Sequence, residues 1–180
     1  MNNISISIDS KLKDIRNSFT IKTINKYKKD SINIIKIALD YLSKEEKFMF
    51  LKSAEIFLDL HLVDDKQIAK INGQYRNKKE PTNVLSFAYF IEEDFKNKNL
   101  LQNLHLGEIF ISMETLLKES AEQKVVIEHH FFRLLIHGLL HLLGFDHNLE
   151  NEARLMYNTE ENILNELKLP TNSIVANYWR

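Results

Sequence analysis

The amino-acid sequence predicts an α+β chain in which a small mixed β-sheet packs against several helices as a single-domain layered sandwich. Three observations lead there. Segments at 4–8 and 54–63 alternate apolar and polar residues, as half-buried strands do when successive side chains point to opposite faces, and 104–112 reads as another strand. Segments with apolar residues every three or four positions lie between and after them, so strands and helices do not alternate strictly. No internal repeat and no Pro/Gly/Ser-rich linker divides the chain, so 1–180 reads as one domain. A chain of that size can bury roughly 70% of the surface its unfolded form exposes.

Taken in order, Ile4 to Ile8 forms the first strand. The stretch 11–29 is basic, with Lys11, Lys13, Arg16, Lys22, Lys26, Lys28 and Lys29 set against Asp14, and reads as a solvated loop or short helix. Asp30 or Ser31 is placed to cap a helix that carries Ile34, Ile35, Ala38, Leu39 and Leu42 and extends toward Phe50. Ala54 to Val63 is a central strand, on which His61 points away from Leu60 and Leu62. Asp64 or Asp65 caps a helix with Ile68, Ala69 and Ile71 on one face, ending near Tyr75. Pro81 interrupts regular structure before a strand from Val84 to Ile91, and Glu92 to Asn99 is a polar connection. Leu104 to Ser112 is a further strand, followed by a helix to about Gln123. A long apolar helix from Val125 to Leu143 and an amphipathic helix from Asn151 to Leu167 complete the set, and the residues from Pro170 read as a tail.

Composition removes several classes. The apolar share is 44%, that of an ordinary globular protein. The longest apolar run, Phe131 to Leu143, is too short to span a bilayer, so no membrane partner is expected. Cysteine is absent, which leaves neither a disulfide framework nor a thiolate ligand. The first residues lack the basic start and apolar core of a signal peptide, so a cytoplasmic location is expected. A net charge of -1 leaves nucleic acid open as a partner, because such binding needs a local basic surface and not a basic total.

The most informative stretch is His137-Gly-Leu-Leu-His141-Leu-Leu-Gly144-Phe-Asp146-His147. His137 and His141 are four residues apart and stack on one face of a helix. Gly144 stands where a helix C-cap wants left-handed backbone, and His147 follows the turn to close the set. Histidine is costly to bury unless its ring nitrogens find partners, so three in a segment of Leu, Ile and Phe point to a ligand set more than to packing. Three neutral imidazoles with a vacant fourth position describe a catalytic zinc site, since structural sites are usually closed by four protein ligands. The spacing also matches the zinc-peptidase pattern H-E-x-x-H-x-x-G-x-x-H, which makes this a zincin-like metal helix. Gly138 replaces the glutamate that serves such peptidases as general base, and that disfavours peptide hydrolysis.

Two blocks together resemble the YbeY family of bacterial endoribonucleases: Tyr75-Arg76 followed by Pro81-Thr-Asn-Val-Leu-Ser-Phe87, and the histidine stretch itself. Leu106-Gly107-Glu108-Ile109 is similar to the family's Leu-Gly-Asp-Ile segment, and Glu152-Ala153 through Met156 and Glu160 to Leu164 are similar to its closing helix. The likeness runs over roughly 54–167. It implies a zinc ion held by His137, His141 and His147, and a role in activity for Arg76. It further implies a single-strand-specific, metal-dependent endoribonuclease of ribosomal RNA maturation, notably near the 3′ end of the small-subunit RNA, and of ribosome quality control. Its partners would be single-stranded RNA, the ribosome and proteins associated with it. Departures from the family pattern are Lys79, Ala88 and Glu108, and a longer basic segment at 11–29, which bear on substrate fit and leave the histidines and Arg76 untouched.

On this reading zinc at His137, His141 and His147 would lower the pKa of water toward about 7 or polarise a phosphoryl oxygen. Arg76, whose planar fork suits non-bridging phosphate oxygens, would stabilise charge in the transition state, though taken alone it is equally an ordinary surface or ion-pair arginine. Lys78 and Lys79 are candidate RNA contacts, Tyr75 and Phe87 candidate stacking surfaces, and the segment 11–29 a candidate basic flap beside the RNA path. Asp146 either orients a ligand or caps the turn, and Glu108 and Glu128 are further candidates to orient ligands. His129 and His130 read as surface or packing residues. Another divalent ion could fill a three-imidazole site. The rival functions are a zinc metallopeptidase and a non-catalytic ribosome-assembly factor stabilised by zinc.

Overall fold

Four strands form one mixed sheet, and the strand alternation seen in the sequence accounts for its two faces. The computed structural model describes residues 4–10, 21–90 and 103–170. Strands β1 (Ile4–Ser10), β2 (Glu55–Val63), β3 (Val84–Ala88) and β4 (Asn103–Ser112) lie in the order β1-β2-β4-β3. β2 runs parallel to both β1 and β4, whereas β3 runs antiparallel to β4 and forms one edge. Ile56, Leu58, Leu60 and Leu62 of β2 are buried on one face, and Phe57, Asp59 and His61 alternate onto the other.

Five α-helices and one 3₁₀ helix are seen among the described residues: α1 (Ile21–Leu42), the 3₁₀ helix Glu46–Lys52, α2 (Asp65–Arg76), α3 (Met113–Gln123), α4 (Ile127–Leu142) and α5 (Glu150–Glu166). The main core joins the inner face of the sheet to α1, α4 and α5 through residues such as Ile35, Leu39, Phe131, Leu135 and Ile163. A smaller cluster on the opposite face, Val63, Ile68 and Leu85 with Ile71, Phe87 and Phe110 against it, seats α2. This is the α+β arrangement that the patterning implies.

Helix α4 is the centre of the molecule. From His130 to Leu142 every residue is buried except His137 and His141. A helix that is apolar all round belongs inside a core. Two polar positions one turn apart therefore open the only window of this stretch toward solvent.

Several boundaries differ from expectation. Asp30 and Ser31 do not cap α1, which begins at Ile21. Ser31 sits mid-helix and donates its hydroxyl to the Tyr27 carbonyl at 2.7 Å. Tyr27 stacks on Phe131 with ring centroids 4.8 Å apart, and Lys26 pairs with Glu128 at 2.7 Å. Those contacts to α4 extend the helix upstream of its local cap signal. The same helix stops at Leu42 instead of continuing toward Phe50, because Phe48 turns inward and stacks on Phe145 at 5.6 Å. β3 ends at Ala88, short of Ile91. The basic residues of 11–20, the polar connection 92–99 and the tail 171–180 lie outside the described residues.

Gly107 shows why the sheet needs a glycine. The register of β2 with β4 shifts between Phe57 and Asp59, and Gly107 holds φ +136 there. A Cβ at Gly107 would lie 2.1 Å from the Phe87 carbonyl oxygen. The irregularity turns Glu108 onto the face of α2, away from α4.

Candidate metal centre and its cleft

The three histidines converge because α4 ends in a well-formed cap. The Gly144 N–H donates to the His141 carbonyl at 3.1 Å and the Phe145 N–H to the Leu140 carbonyl at 3.0 Å, with Gly144 at φ +85. This pair of bonds is a Schellman motif, which needs left-handed backbone at the glycine. It reverses the chain so that His147 returns to the helix face that carries His137 and His141. Asp146 accepts the His147 N–H at 2.7 Å and a bond from the Asn148 side chain, so it caps the turn.

One ligand atom from each of His137, His141 and His147 lies within 4.8 Å of the others. His137 Nδ1 is 3.2 Å from Glu160 Oε2, and His141 Nδ1 is 3.0 Å from the Phe145 carbonyl oxygen. Both acceptors require a proton on Nδ1, which places the lone pair of each ring on Nε2. Those two Nε2 atoms are 3.2 Å apart. Two lone pairs at that distance repel unless a cation or a proton lies between them. The donor set therefore fits a divalent ion of the zinc type, with each ring oriented from behind as metal-binding histidines usually are.

The site opens into a cleft of about 780 Å³. α4 and its exit turn form one wall, and Arg76, Lys78 and the residues of β3 form the other. Arg76 is brought there by α2. A capping box between Asp64 and Gln67 starts that helix, and left-handed Asn77 ends it directly after Arg76. Buried Asn72 donates to the Glu80 carbonyl at 2.8 Å and ties the following loop to the helix. Lys79 packs its stem beside Gly73.

The chain matches the family model described as Endoribonuclease YbeY over residues 15–168. It belongs to the YbeY family. The Endoribonuclease YbeY of Malacoplasma penetrans is 40% identical over 136 residues, covering 76% of this chain and 84% of that protein. Those of Sinorhizobium medicae and Prochlorococcus marinus are 38% and 34% identical, covering 78% and 86% of their own lengths and 76% and 88% of this chain. The solution structure of TM1509 from Thermotoga maritima shares the fold, with a TM-score of 0.53 at 20% identity over 91% of this chain and 92% of that one.

Two acidic candidates are corrected in this YbeY chain. Glu108 accepts the Tyr89 hydroxyl at 2.5 Å on the sheet face opposite α4, and Glu128 is occupied by Lys26 more than two turns before His137. The carboxylate behind the metal centre is Glu160 of α5. It also pairs with Arg133 at 2.7 Å, and Arg133 in turn reaches Glu161 at 2.7 Å. A carboxylate on the apolar face of α5, between Met156 and Ile163, was the available signal. His61 stacks on Phe110 at 4.4 Å as a strand-face residue, and His130 is buried with Nε2 2.7 Å from Glu119. Phe87 packs between Tyr75 at 4.9 Å and Phe110 at 5.8 Å and is part of the smaller core.

The electrostatics favour the neutral form of His141 and of His147. Burial first, then the neighbouring His137 and His147, push His141 down from 6.5 to about 4. His147 is also lowered, by burial and then by His137, with a smaller push from Arg76 across the cleft. Each of these groups binds protons more weakly folded than unfolded, so its contribution to stability is full above the unfolded value and fades as pH falls. Thermal melts of metal-free protein should accordingly drop as pH falls from 6.5 toward about 4. His141→Ala should flatten that slope; an equally steep slope in the variant would assign it to other groups.

Proposed function

We propose that the chain is a zinc-dependent endoribonuclease that cuts single-stranded RNA and acts in ribosomal RNA maturation, at the 3′ end of the small-subunit RNA, and in ribosome quality control. Residues 1–180 act as one catalytic domain, with the ribosome and its associated proteins as partners in the cytoplasm. Among the described residues no helix is long and apolar enough to cross a membrane. The observation that carries the reading is the convergence of His137, His141 and His147 in the cleft that Arg76 and Lys78 also line. Membership of an endoribonuclease family supports RNA as the substrate.

His137, His141 and His147 would hold the zinc ion, which when bound would supply Lewis-acid polarisation of a phosphoryl oxygen and activation of water near neutral pH. Glu160 and the Phe145 carbonyl keep His137 and His141 in the tautomer that presents Nε2. Arg76 offers a bidentate fork to the non-bridging oxygens and stabilises the charge that grows on them, with Lys78 holding the strand beside it.

The peptidase alternative is not favoured, for a steric reason beyond the missing carboxylate. A Cβ on Gly138 would lie 2.9 Å from Ile109 Cγ2 and 3.0 Å from Ser86 Oγ, so α4 packs on the sheet at a point where no side chain fits. Elemental analysis alongside cleavage of a labelled single-stranded RNA tests the proposal. Zinc should co-purify, a chelator should abolish cleavage, and added zinc should restore it. Folded, metal-free protein that cleaves at the full rate would remove the metal from the mechanism. Chelation that lowers the melting temperature of a protein without RNA cleavage would point to the assembly-factor role.

A further inference from the structure

The cleft wall opposite the histidines is a strand edge, and its backbone groups alternate in a defined way. β3 pairs with β4 on one side, and among the described residues no strand lies on its other side. The Ser112 N–H donates to the Asn83 carbonyl at 2.9 Å and the Tyr89 N–H to the Leu106 carbonyl at 3.0 Å. Both pairs lie on the register that matches Leu85 with Phe110 and Phe87 with Glu108. In an antiparallel ladder alternate residues exchange both bonds with the partner strand. Asn83, Leu85, Phe87 and Tyr89 therefore face β4, and the N–H and C=O groups of Val84, Ser86 and Ala88 face outward, where all three residues line the cleft.

An open strand edge is a liability that folded proteins normally cover. Among the described residues, only its beginning is closed. The Val84 N–H donates to the Asn83 side-chain oxygen at 2.7 Å. The Asn83 side-chain nitrogen in turn donates to Glu119 at 3.1 Å, and Glu119 is held by buried His130 at 2.7 Å. This clamp from α3 and α4 fixes the entry to β3 and occupies the Glu119 carboxylate. Beyond it, among the described residues, nothing accepts from the outward N–H groups of Ser86 and Ala88 beside the histidines, and the buried Ser86 hydroxyl has no hydrogen-bond partner.

We propose that the free edge of β3 is the ledge on which the RNA strand lies, with the N–H groups of Ser86 and Ala88 donating to its oxygens. The inference rests on the function proposed above and names the surface that holds the substrate. Two residues along a strand separate these donors by about 6.7 Å, which suits neighbouring phosphates of an extended single strand. Arg76 and Lys78 in the same cleft select a polyanion over a neutral peptide as the occupant.

Proline substitution tests the ledge, since an outward-facing edge position tolerates proline without loss of a ladder bond. Ser86→Pro and Ala88→Pro in the full-length protein should each raise the Kd for a labelled single-stranded RNA about ten-fold, the loss of one hydrogen bond to a charged acceptor. If either variant fails to fold, amide hydrogen exchange of the unaltered protein decides. Added RNA should protect the Ser86 and Ala88 amides and leave the already protected Leu85 and Phe87 unchanged. Folded proline variants with unaltered Kd, where Arg76→Ala weakens binding, would overturn the ledge and leave the site reading intact. An unaltered protein that binds no single-stranded RNA would overturn both. Protection of Ser86 and Ala88 by an unstructured peptide, and not by RNA, would assign the edge to a protein partner instead.

Discussion

Replacing Arg76 by alanine should lower the rate constant for RNA cleavage by about 10²–10³, the loss typical of one preorganised donor at developing charge. Zinc content and melting temperature should stay as they were. Arg76 is exposed at the end of α2, and no ion pair to it is seen among the described residues, so little stability depends on it. Its charge nevertheless reaches the metal centre, because it lowers the proton affinity of His147 across the cleft. Arg76→Lys keeps that charge and loses the planar fork, so it should recover only a small part of the rate. Single-turnover cleavage with saturating enzyme measures the effect free of product release. If alanine raised only KM, Arg76 would be a binding residue and the transition-state role would be wrong.

Replacing Glu160 by alanine should produce the largest structural effect, about 3 kcal/mol of lost stability. The cost arises because Glu160 and Arg133 are 2 % and 5 % exposed, and removing the carboxylate strips the buried guanidinium of one of the two acidic partners seen among the described residues. The same carboxylate orients His137 at 3.2 Å, so zinc affinity should fall about 10–100-fold. Glu160→Gln separates the two roles. It conserves volume and an acceptor oxygen for one neighbour, yet it cannot serve both Arg133 and His137 as an anion. Chemical denaturation reads the first effect and competition with a zinc-binding dye reads the second. Unchanged zinc affinity in a folded Glu160→Ala protein would show that His137 needs no support from α5.

Much of the centre was legible in the chain because its determinants are local. The turn-to-turn stacking of His137 on His141 follows from helical geometry, and the return of His147 follows from glycine at position 144. The absence of a base at 138 was equally plain, although its cause, the contact of α4 with Ile109 and Ser86, was not. The acidic neighbours were assigned less well. Glu108 lies in the middle of β4, where a glycine bulge and strand parity turn it to the face away from α4. Glu160 lies 23 residues from His137, and its role exists only because α5 packs on α4. The start of α1 failed for a related reason. A capping signal at Asp30 and Ser31 is worth about 1 kcal/mol, less than burying Tyr27 against Phe131.

The sequence by itself determined the type and order of the main strands and helices, the three-imidazole helix with its exit turn, and the family. Each depends on residues within a turn or two of one another, or on motifs that survive as strings. Tertiary structure alone decided which carboxylate stands behind His137, which sheet edge faces the metal centre, and that Arg76 reaches the same cleft. Those outcomes depend on which faces of distant elements meet, and burial of apolar surface, which sets those meetings, carries no information about which polar groups will be brought along with it.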